Sequence, residues 1–273
     1  MDIHANGIRM HCTVDGPAGA PWVTFVTGIA NDTSLWAGQV PALADRFQVL
    51  RYDLRGQGLT QATPPPYSIA SLAADLIALW NALGIDRSHL VGLGLGSTVA
   101  MRAAIDHPAR IDRLVPSCCR ARMVPDFATM WAGLTEAARN GGVEAIVETT
   151  AQRWFSDEFK AAHPEVLDRV RTMIRGTSLD GYLGCVGAFV GLDLEDELGR
   201  IQAPTLFIGG ANDKSGGPEA LMRGLAAQVP GAAYLPVVAA AHIANVQNGA
   251  EYNRILREFL VGDATSTRKE KAR

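Results

Sequence analysis

Short apolar segments alternate with helix-length segments along the first 115 residues, and this alternation restricts the possible folds more than any other feature of the sequence. Strand character is found in Trp22–Val26, Gln48–Tyr52, 89–92 and 114–118. Apolar residues recur at helical spacing from Ile69 to Leu83, and Gly84 is placed to end that helix. The pattern is typical of parallel strands joined by crossover helices, so it predicts an α/β protein with a mostly parallel central sheet.

The alternation is interrupted once, and the interruption defines the predicted organisation of the chain. Residues 1–14, with a turn at Asn6-Gly7, are predicted to form an opening hairpin. Residues 120–200 show no strand alternation and are predicted to form a helical lid. Strands resume at 204–210 and 232–238, so segments 1–119 and 201–262 are predicted to form one core. The polar segment 263–273 is predicted to be a flexible tail.

Composition narrows the class of partner. The chain is 48% hydrophobic, which supplies enough apolar surface for a large core. Its 25 basic and 28 acidic residues leave a net charge of −3, so nothing favours binding to nucleic acid or to an anionic membrane. The expected partner is a small molecule. The sequence gives no indication of the oligomeric state.

The cellular compartment and the need for a cofactor are judged from the N-terminus and the cysteines. The segment Met1-Asp2-Ile3-His4 lacks the basic and apolar regions of a secretory signal. No stretch approaches the roughly 18 apolar residues of a membrane span. The four cysteines have neither zinc-site nor disulfide-framework spacing. We therefore expect a cytoplasmic protein that needs no metal and no organic cofactor.

A glycine-rich turn follows the third strand of this series. The segment Gly92-Leu93-Gly94-Leu95-Gly96 joins that strand to the start of a helix. In α/β-hydrolases such an elbow reads Gly-x-Ser-x-Gly, and its serine is the nucleophile. Here Gly94 stands at the central position, which predicts an elbow without a nucleophilic side chain. Its neighbour Leu95 and, after the first strand, Ile29 beside Gly28 are the candidate N–H donors of an oxyanion hole.

Two other interpretations of this segment are weaker. A dinucleotide fingerprint would require glycine where Ser97 stands, and it would also require an acidic residue about 20 positions further on. Ser97 itself is about one helical turn beyond the elbow, which favours a packing role over a nucleophilic one. The glycine at position 94 then has two explanations: natural divergence to other chemistry, or a replaced serine in an inactivated enzyme.

An acid and a base follow in the order that α/β-hydrolases use. Asp213 follows the strand at 204–210, and His242 follows the strand at 232–238. An acid that orients an imidazole is what general-base catalysis requires. Either residue alone is readily explained as a turn residue or a half-buried histidine. Their joint position predicts a catalytic pair.

Further candidates lie where the sheet is expected to meet the lid. Arg120 and Arg122 are candidates for binding a substrate carboxylate, or they are exposed lid residues. Trp131 and Trp154 are candidates for lining an apolar pocket, or they hold the lid helices together. Each of Cys118 and Cys119 is either a reactive thiol or a small buried residue.

At this point the chain resembles one family within the α/β-hydrolases, the 3-oxoadipate enol-lactonases, over roughly residues 1–260. The matching segments are Trp36 with Gly28-Ile29, Tyr52-Asp53-Leu54-Arg55-Gly56, Arg153-Trp154-Phe155, Gly181-Tyr182 and Ala240-Ala241-His242-Ile243-Ala244-Asn245. The resemblance implies an α/β-hydrolase fold with a helical lid, hydrolysis of a small carboxylated enol-lactone, and a role in aromatic catabolism. It also implies that Asp213 and His242 are the orienting acid and the base, whereas no nucleophile carries over at Gly94.

The sequence therefore supports two functions of different kinds. The first is an enzyme for a small carboxylated lactone, ester or diketone-like substrate, in which His242, oriented by Asp213, activates water or a substrate proton. The second is a catalytically silent member of the fold that binds such a ligand without turning it over. Retention of both Asp213 and His242 favours the enzyme, because a binding protein needs neither.

Overall fold

The computed structural model describes residues 1–262; the predicted tail 263–273 lies outside the described residues. Eight strands form one sheet. In chain order they are β1 Asp2–Ala5, β2 Ile8–Asp15, β3 Trp22–Val26, β4 Gln48–Tyr52, β5 Ser88–Leu93, β6 Ile111–Ser117, β7 Leu206–Gly210 and β8 Ala233–Val237. Each strand expected from the sequence is present, with ends that differ by at most three residues.

The helices surround this sheet or belong to the segment between β6 and β7. They are α1 Val40–Leu43, α2 Ile69–Leu83, α3 Leu95–Asp106, α4 Pro125–Gly141, α5 Glu144–Trp154, α6 Asp157–Ala162, α7 Pro164–Arg175, α8 Leu179–Val190, α9 Glu219–Gln228, α10 Ala244–Gln247 and α11 Gly249–Val261. Short 3-10 helices occupy Thr33–Trp36, Pro108–Arg110 and Glu195–Arg200. No helix among residues 1–262 is both long and apolar enough to span a membrane.

The order of strands in the sheet is β1-β2-β4-β3-β5-β6-β7-β8. The predicted hairpin is confirmed, because β1 pairs antiparallel with β2, which in turn pairs antiparallel with β4. Every neighbouring pair from β4 to β8 is parallel. The prediction of a mostly parallel central sheet is therefore confirmed. Parallel strands place their carboxyl ends at one edge, and the loops that leave this edge carry the candidate residues.

Local sequence explains the helix that best matched its prediction. Ser68 caps the N-terminus of α2, since its Oγ accepts from the N–H of Ser71, 3.0 Å away. Oγ of Ser71 in turn accepts from the N–H of Ser68, also at 3.0 Å. Gly84 ends the helix at φ 68°, a left-handed conformation that glycine adopts without strain. The apolar face of α2 buries Trp80, whose Nε1 donates to Thr24 on β3.

Five helices, α4 to α8, fall within the segment expected to form the lid. They pack largely on one another, with α4 against α5 and α8, and α5 against α7. Phe127, Trp131 and Phe189 join α4 to α8 through edge-to-face contacts with ring centroids 5.7–6.1 Å apart. The lid therefore has an apolar interior of its own, and one side of it faces the carboxyl edge of the sheet.

Candidate active site

Four loops bring the predicted catalytic residues together at the carboxyl edge of the sheet. Ile29 follows β3, Gly94 separates β5 from α3, Asp213 follows β7 and His242 follows β8. These strands are not all neighbours along the chain, so only the order of strands in the sheet makes their loops adjacent. The convergence of these loops is the geometric basis of the site.

Gly94 is held in an unusual backbone conformation and faces the imidazole. Its φ of 54° and ψ of −117° lie outside the regions that side-chain-bearing residues favour. Its N–H donates to the carbonyl of Ser117 at 3.0 Å. A Cβ atom at Gly94 would lie 3.7 Å from Nε2 of His242 and 3.9 Å from its Cε1, with no other non-adjacent atom within 4 Å. Position 94 therefore opens directly onto the base.

The two flanking glycines are needed for a different reason, which is close packing. A Cβ atom at Gly92 would lie 2.5 Å from the carbonyl oxygen of Gly96, across the turn. A Cβ atom at Gly96 would overlap the carbonyl oxygens of Val26 and Thr27 on the neighbouring strand. Both positions exclude any side chain, whereas Gly94 has free space in front of it.

His242 and Asp213 form a hydrogen-bonded pair. Nδ1 of His242 lies 3.0 Å from Oδ2 of Asp213. Oδ1 of the carboxylate accepts from the N–H groups of Ser215 at 2.7 Å and Gly216 at 3.1 Å, and Oδ2 accepts from Gly217 at 2.9 Å. This arrangement fixes the ring so that Nε2 points toward Gly94.

The surroundings of Asp213 keep it ionised. Burial of the carboxylate disfavours its charge, but the neighbouring imidazole and the backbone N–H donors outweigh burial and lower its pKa to about 2. A permanently charged acid at this place holds one tautomer of the imidazole, with the proton on Nδ1 and the lone pair on Nε2. The pair therefore presents a base to the space at position 94.

The two candidate oxyanion donors are unoccupied. Within residues 1–262, neither the N–H of Ile29 nor that of Leu95 has a hydrogen-bond acceptor. Leu95 is the first residue of α3, where N–H groups lack an intrahelical partner and the helix dipole favours negative charge. Both residues line the same cavity as Gly94. The site thus combines a base with two free backbone donors.

A cavity of about 40 Å³ lies between the sheet edge and the lid. Among the predicted site residues, its lining includes Gly28, Ile29, Gly94, Leu95, Trp131, Trp154 and His242. Asp213 lies directly behind the imidazole and does not line the cavity. A space of this size holds a few water molecules.

The predicted carboxylate-binding role of Arg122 is not supported by its position. Arg122 lies outside the cavity, at the surface, where its guanidinium pairs with Asp193 at 2.8 Å and Asp196 at 2.7 Å. Glu195 adds a third carboxylate at 3.4 Å. The acidic segment before β7 therefore neutralises this arginine, and sequence separation of more than 70 residues hid that pairing from the sequence.

Arg120 is also absent from the cavity lining. Its guanidinium lies over the ring of Phe127, 4.1 Å from the centroid, so it joins the sheet edge to α4. Its Nε is buried without a hydrogen-bond partner. Burial lowers the pKa of Arg120, and the Asp213 carboxylate opposes that shift. Arg120 therefore lies near Asp213 but does not line the cavity.

Two polar cavity residues, Arg153 and Tyr182, were not singled out as site residues from the sequence. Arg153 lines the cavity and donates from Nη2 to Oγ of Ser215 at 3.0 Å. Tyr182 also lines it, and its buried hydroxyl has no hydrogen-bond partner within residues 1–262. Arg153 and Tyr182 did belong to the segments that carried the family resemblance. The resemblance marked both residues as characteristic of the family, but it did not indicate which way their side chains point.

The remaining side chains with possible reactivity are held in structural roles. Ser97 is buried, accepting from the N–H of Ser117 at 2.8 Å and donating to its carbonyl at 2.9 Å. Burial raises the pKa of Cys118 well above its usual value and that of Cys119 to about 12. Neutral thiols are poor nucleophiles, so Cys118, although it lines the cavity, contributes packing.

One group of possible metal ligands is present in the described part of the chain. Donor atoms of Cys118, Asp213 and His242 lie within 4.8 Å of one another. The carboxylate oxygens already accept three backbone N–H groups and contact the imidazole, and the Cys118 thiol is held protonated by burial. The hydrogen-bonded pair accounts for this grouping, and no metal needs to be invoked to explain it.

Comparison with known proteins agrees with this geometry. Residues 21–249 match the family described as alpha/beta hydrolase fold. The chain belongs to that family. The predicted α/β-hydrolase fold is thereby confirmed, and the elbow, the acid loop and the histidine loop occupy the positions at which this fold carries its active sites.

Individual relatives narrow the comparison. The chain is 29% identical to 3-oxoadipate enol-lactonase 2 of Acinetobacter baylyi over 209 residues, covering 77% of this chain and 78% of that protein. It is 29% identical to the putative carbamate hydrolase RutD of Stutzerimonas stutzeri over 244 residues, covering 88% and 92%. The crystal structure of the enol-lactonase from Burkholderia xenovorans superposes with a TM-score of 0.92 at 32% identity, covering 96% of this chain and all of that one.

Proposed function

We propose that this alpha/beta hydrolase hydrolyses a small carboxylated lactone or ester by direct attack of water, with His242 as the general base. Similarity to enol-lactonases supports the substrate class, and the hydrogen-bonded pair of Asp213 and His242 supports the base. Gly94 stands at the elbow position that carries the nucleophile in this fold, and it offers no hydroxyl. Water takes the place of that nucleophile.

The reaction is balanced as a hydrolysis. Nε2 of His242 removes a proton from water while the water oxygen forms a bond to the carbonyl carbon. The carbonyl oxygen becomes an oxyanion, and the N–H groups of Ile29 and Leu95 stabilise it. Collapse of this intermediate breaks the carbon–oxygen bond of the ester, and the imidazolium returns the proton to the leaving oxygen. An ester gives an acid and an alcohol, whereas a lactone gives a single ring-opened acid that carries the new hydroxyl or enol.

One observation carries the proposal. A Cβ atom at Gly94 would lie 3.7 Å from Nε2 of His242, and no other non-adjacent atom of the described residues lies within 4 Å of it. The cavity that Gly94 and His242 both line therefore leaves room for a water molecule between the elbow and the imidazole, where it can donate to Nε2. In a serine enzyme the nucleophile reaches into this region, so the base is retained while the attacking group changes.

Replacing the base tests this mechanism. His242→Ala is expected to lower turnover of a carboxylated enol-lactone by on the order of 10²–10⁴, the usual contribution of a positioned acid–base group. Intact-mass spectrometry of the unaltered protein during turnover is expected to show no acyl adduct. His107→Ala, at an exposed histidine beyond the end of α3, is the matched control and leaves turnover unchanged.

Three results would contradict the proposal. Unchanged turnover in His242→Ala would remove the base from the mechanism. An acyl adduct on the unaltered protein would show a covalent nucleophile that the proposal lacks. Ligand binding with no turnover of lactones, esters or diketones would identify a binding protein instead, as the second function suggested by the sequence requires.

A further inference from the structure

Arg153 is a cation in the cavity wall that forms no direct ion pair with the residues that the structure describes. It lies in the last turn of α5, and it is the only arginine or lysine among the described residues that line the cavity. Within residues 1–262 no carboxylate lies within 4.0 Å of its guanidinium, and its hydrogen bond goes to the neutral hydroxyl of Ser215. Burial lowers the pKa of Arg153, and the more distant carboxylate of Asp213 opposes that shift. A buried charge without a direct ion pair costs free energy, and an anionic ligand offsets that cost.

Two other arginines of the lid have direct carboxylate partners. Arg171 on α7 binds Glu148 on α5 through two hydrogen bonds of 2.8 and 2.9 Å. Arg175 binds Glu144 in the same way, with two bonds of 2.8 Å. Two arginines of α7 therefore pair with the acids of α5 on the outer surface. Arg153, on the same helix as both glutamates, points away from them and toward the cavity.

Two further donors on residues that line the cavity lack acceptors within residues 1–262. The hydroxyl of Tyr182, a residue only 1% exposed, has no partner there. Nε1 of Trp131 is likewise buried without one. A buried polar group without a hydrogen bond is unfavourable, and a ligand that carries acceptor atoms would remove that cost. Together with Arg153, they make the lid side of the cavity rich in donors and poor in acceptors.

We infer that Arg153 binds the carboxylate of the ligand and fixes the ligand's orientation in the cavity. The planar guanidinium suits the two oxygens of a carboxylate, and the hydroxyl of Tyr182 is a further donor to them. Binding of the carboxylate on the lid side leaves the carbonyl for the side of Gly94 and His242. This inference rests on the proposed function, since it takes the cavity to be the reaction site.

Arg153 borders a second space as well as the cavity. It is one of the residues that line an outer cleft, whose other charged side chains are Asp157, Glu158, Lys160 and Lys214. The cleft therefore carries charges of both signs, whereas no carboxylate is found among the described residues that line the cavity.

Binding of a keto acid tests the inference without requiring turnover. Levulinate has a ketone and a carboxylate but no bond that this enzyme would hydrolyse, and levulinamide is its uncharged counterpart. Isothermal titration calorimetry is expected to show that Arg153→Met weakens levulinate binding about tenfold to hundredfold, as loss of a charge-assisted hydrogen bond predicts. Levulinamide affinity is expected to change by less than about twofold, because it has no charge to lose.

Two more variants control this measurement. Arg153→Lys keeps the charge but loses the two-pronged geometry, so its affinity for levulinate is expected to fall between those of the other two proteins. Arg139→Met removes an exposed arginine of α4 that lies outside the cavity, and it should leave both affinities unchanged. Circular dichroism and thermal unfolding confirm that each variant is folded.

The outcomes separate this inference from the proposed function. Equal loss of levulinate and levulinamide binding in Arg153→Met, no loss of either, or failure of the unaltered protein to bind levulinate would overturn the carboxylate site. Levulinate binding that depends on Arg153, in a protein that hydrolyses nothing, would support the site and refute the reaction. Turnover that depends on His242 but not on Arg153 would support the reaction and refute the carboxylate site.

Discussion

The two walls of the cavity differ in how their polar groups are satisfied. On the sheet side, the carboxylate of Asp213 accepts three backbone N–H groups and holds His242 in place. On the lid side, the only hydrogen bond of Arg153 to the described residues is to a hydroxyl, and the hydroxyl of Tyr182 has no partner among them. The comparison indicates that the acid and the base are held in place without a ligand, whereas the N–H groups of Ile29 and Leu95 and the donors of the lid side are left for one.

The elements that build each wall explain this difference. Loops that leave parallel strands are anchored by the sheet, so their backbone N–H groups can be aimed at one carboxylate. The lid helices are held by apolar side chains, such as the ring cluster of Phe127, Trp131 and Phe189. Apolar packing positions a helix without satisfying the polar groups at its inner face. The hydrogen-bonded acid and base and the lid donors without acceptors among the described residues thus belong to different walls.

The largest expected effect comes from changing Asp213, the acid on the sheet side of the cavity. Asp213→Asn keeps the size of the side chain but removes the charge that orients His242. We expect turnover to fall by on the order of 10²–10⁴, the range seen for positioned acid–base groups. Steady-state kinetics with a carboxylated enol-lactone measure the loss. A fall of less than about threefold would mean that backbone packing alone orients the imidazole, and the contrast between the walls would weaken.

The same variant has a characteristic pH dependence of stability. The folded-state pKa of Asp213 is about 2, below its unfolded value of about 3.9, so its contribution is complete above pH 4 and is lost as the pH falls toward 2. The difference in unfolding free energy between the unaltered protein and Asp213→Asn should therefore shrink over that interval, measured by urea unfolding.

A second buried carboxylate provides a control of opposite sign. Burial raises the pKa of Asp53 to about 6, although the N–H groups of Leu59 and Thr33 oppose the shift. Its contribution is therefore present at low pH and is lost as the pH rises from about 4 to 6. Asp53→Asn should change the pH dependence in that interval only. Equal pH profiles for the two variants would show that neither carboxylate is shifted as described.

The next effect concerns the centre of the elbow. Gly94→Ser places a hydroxyl beside Nε2 of His242, and we expect an acyl-enzyme with an activated ester, detected by intact-mass spectrometry. The substitution should also cost about 1–3 kcal/mol of stability, because φ at this position is 54°. A folded variant that neither acylates nor hydrolyses would contradict the geometry described for the sheet wall.

The neighbouring glycine is the matched comparison for that substitution. Gly96→Ala puts a Cβ atom into the carbonyl oxygens of Val26 and Thr27, so it should destabilise the fold by about 1–3 kcal/mol or more and create no new activity. Thermal unfolding of Gly94→Ser and Gly96→Ala measures the loss of stability that each substitution causes. Stability equal to that of the unaltered protein in Gly96→Ala would show that the elbow is looser than its packing indicates.

The smallest expected effect comes from the arginine that the structure places outside both walls. Arg122→Met removes exposed ion pairs with Asp193 and Asp196, which solvent and salt screen. Levulinate affinity and turnover should not change. A loss of affinity comparable to that of Arg153→Met would assign the carboxylate to Arg122 after all, and would require the lid to rearrange on binding.

Particular elements show how much of the structure could be predicted from the sequence. The strands and α2 were predictable because burial imposes a period on apolar residues, and Ser68 and Gly84 mark the ends of that helix. Gly94, Asp213 and His242 were predictable as a set because this fold places them at fixed strand ends. For Arg122 the sequence left two alternatives, a carboxylate-binding residue or an exposed lid residue, and its pairing with the distant Asp193 and Asp196 favours the second.

The sequence by itself determined the alternation of strands and helices, the glycine elbow and the order of acid and base. These features depend on local backbone preference and on periodic burial, both of which are encoded in neighbouring residues. Only the tertiary structure decided that Arg153, and neither Arg120 nor Arg122, reaches the cavity. The direction of a lid side chain depends on how α5 packs against α4 and α7, and contacts between separate helices leave no periodic signal along the chain.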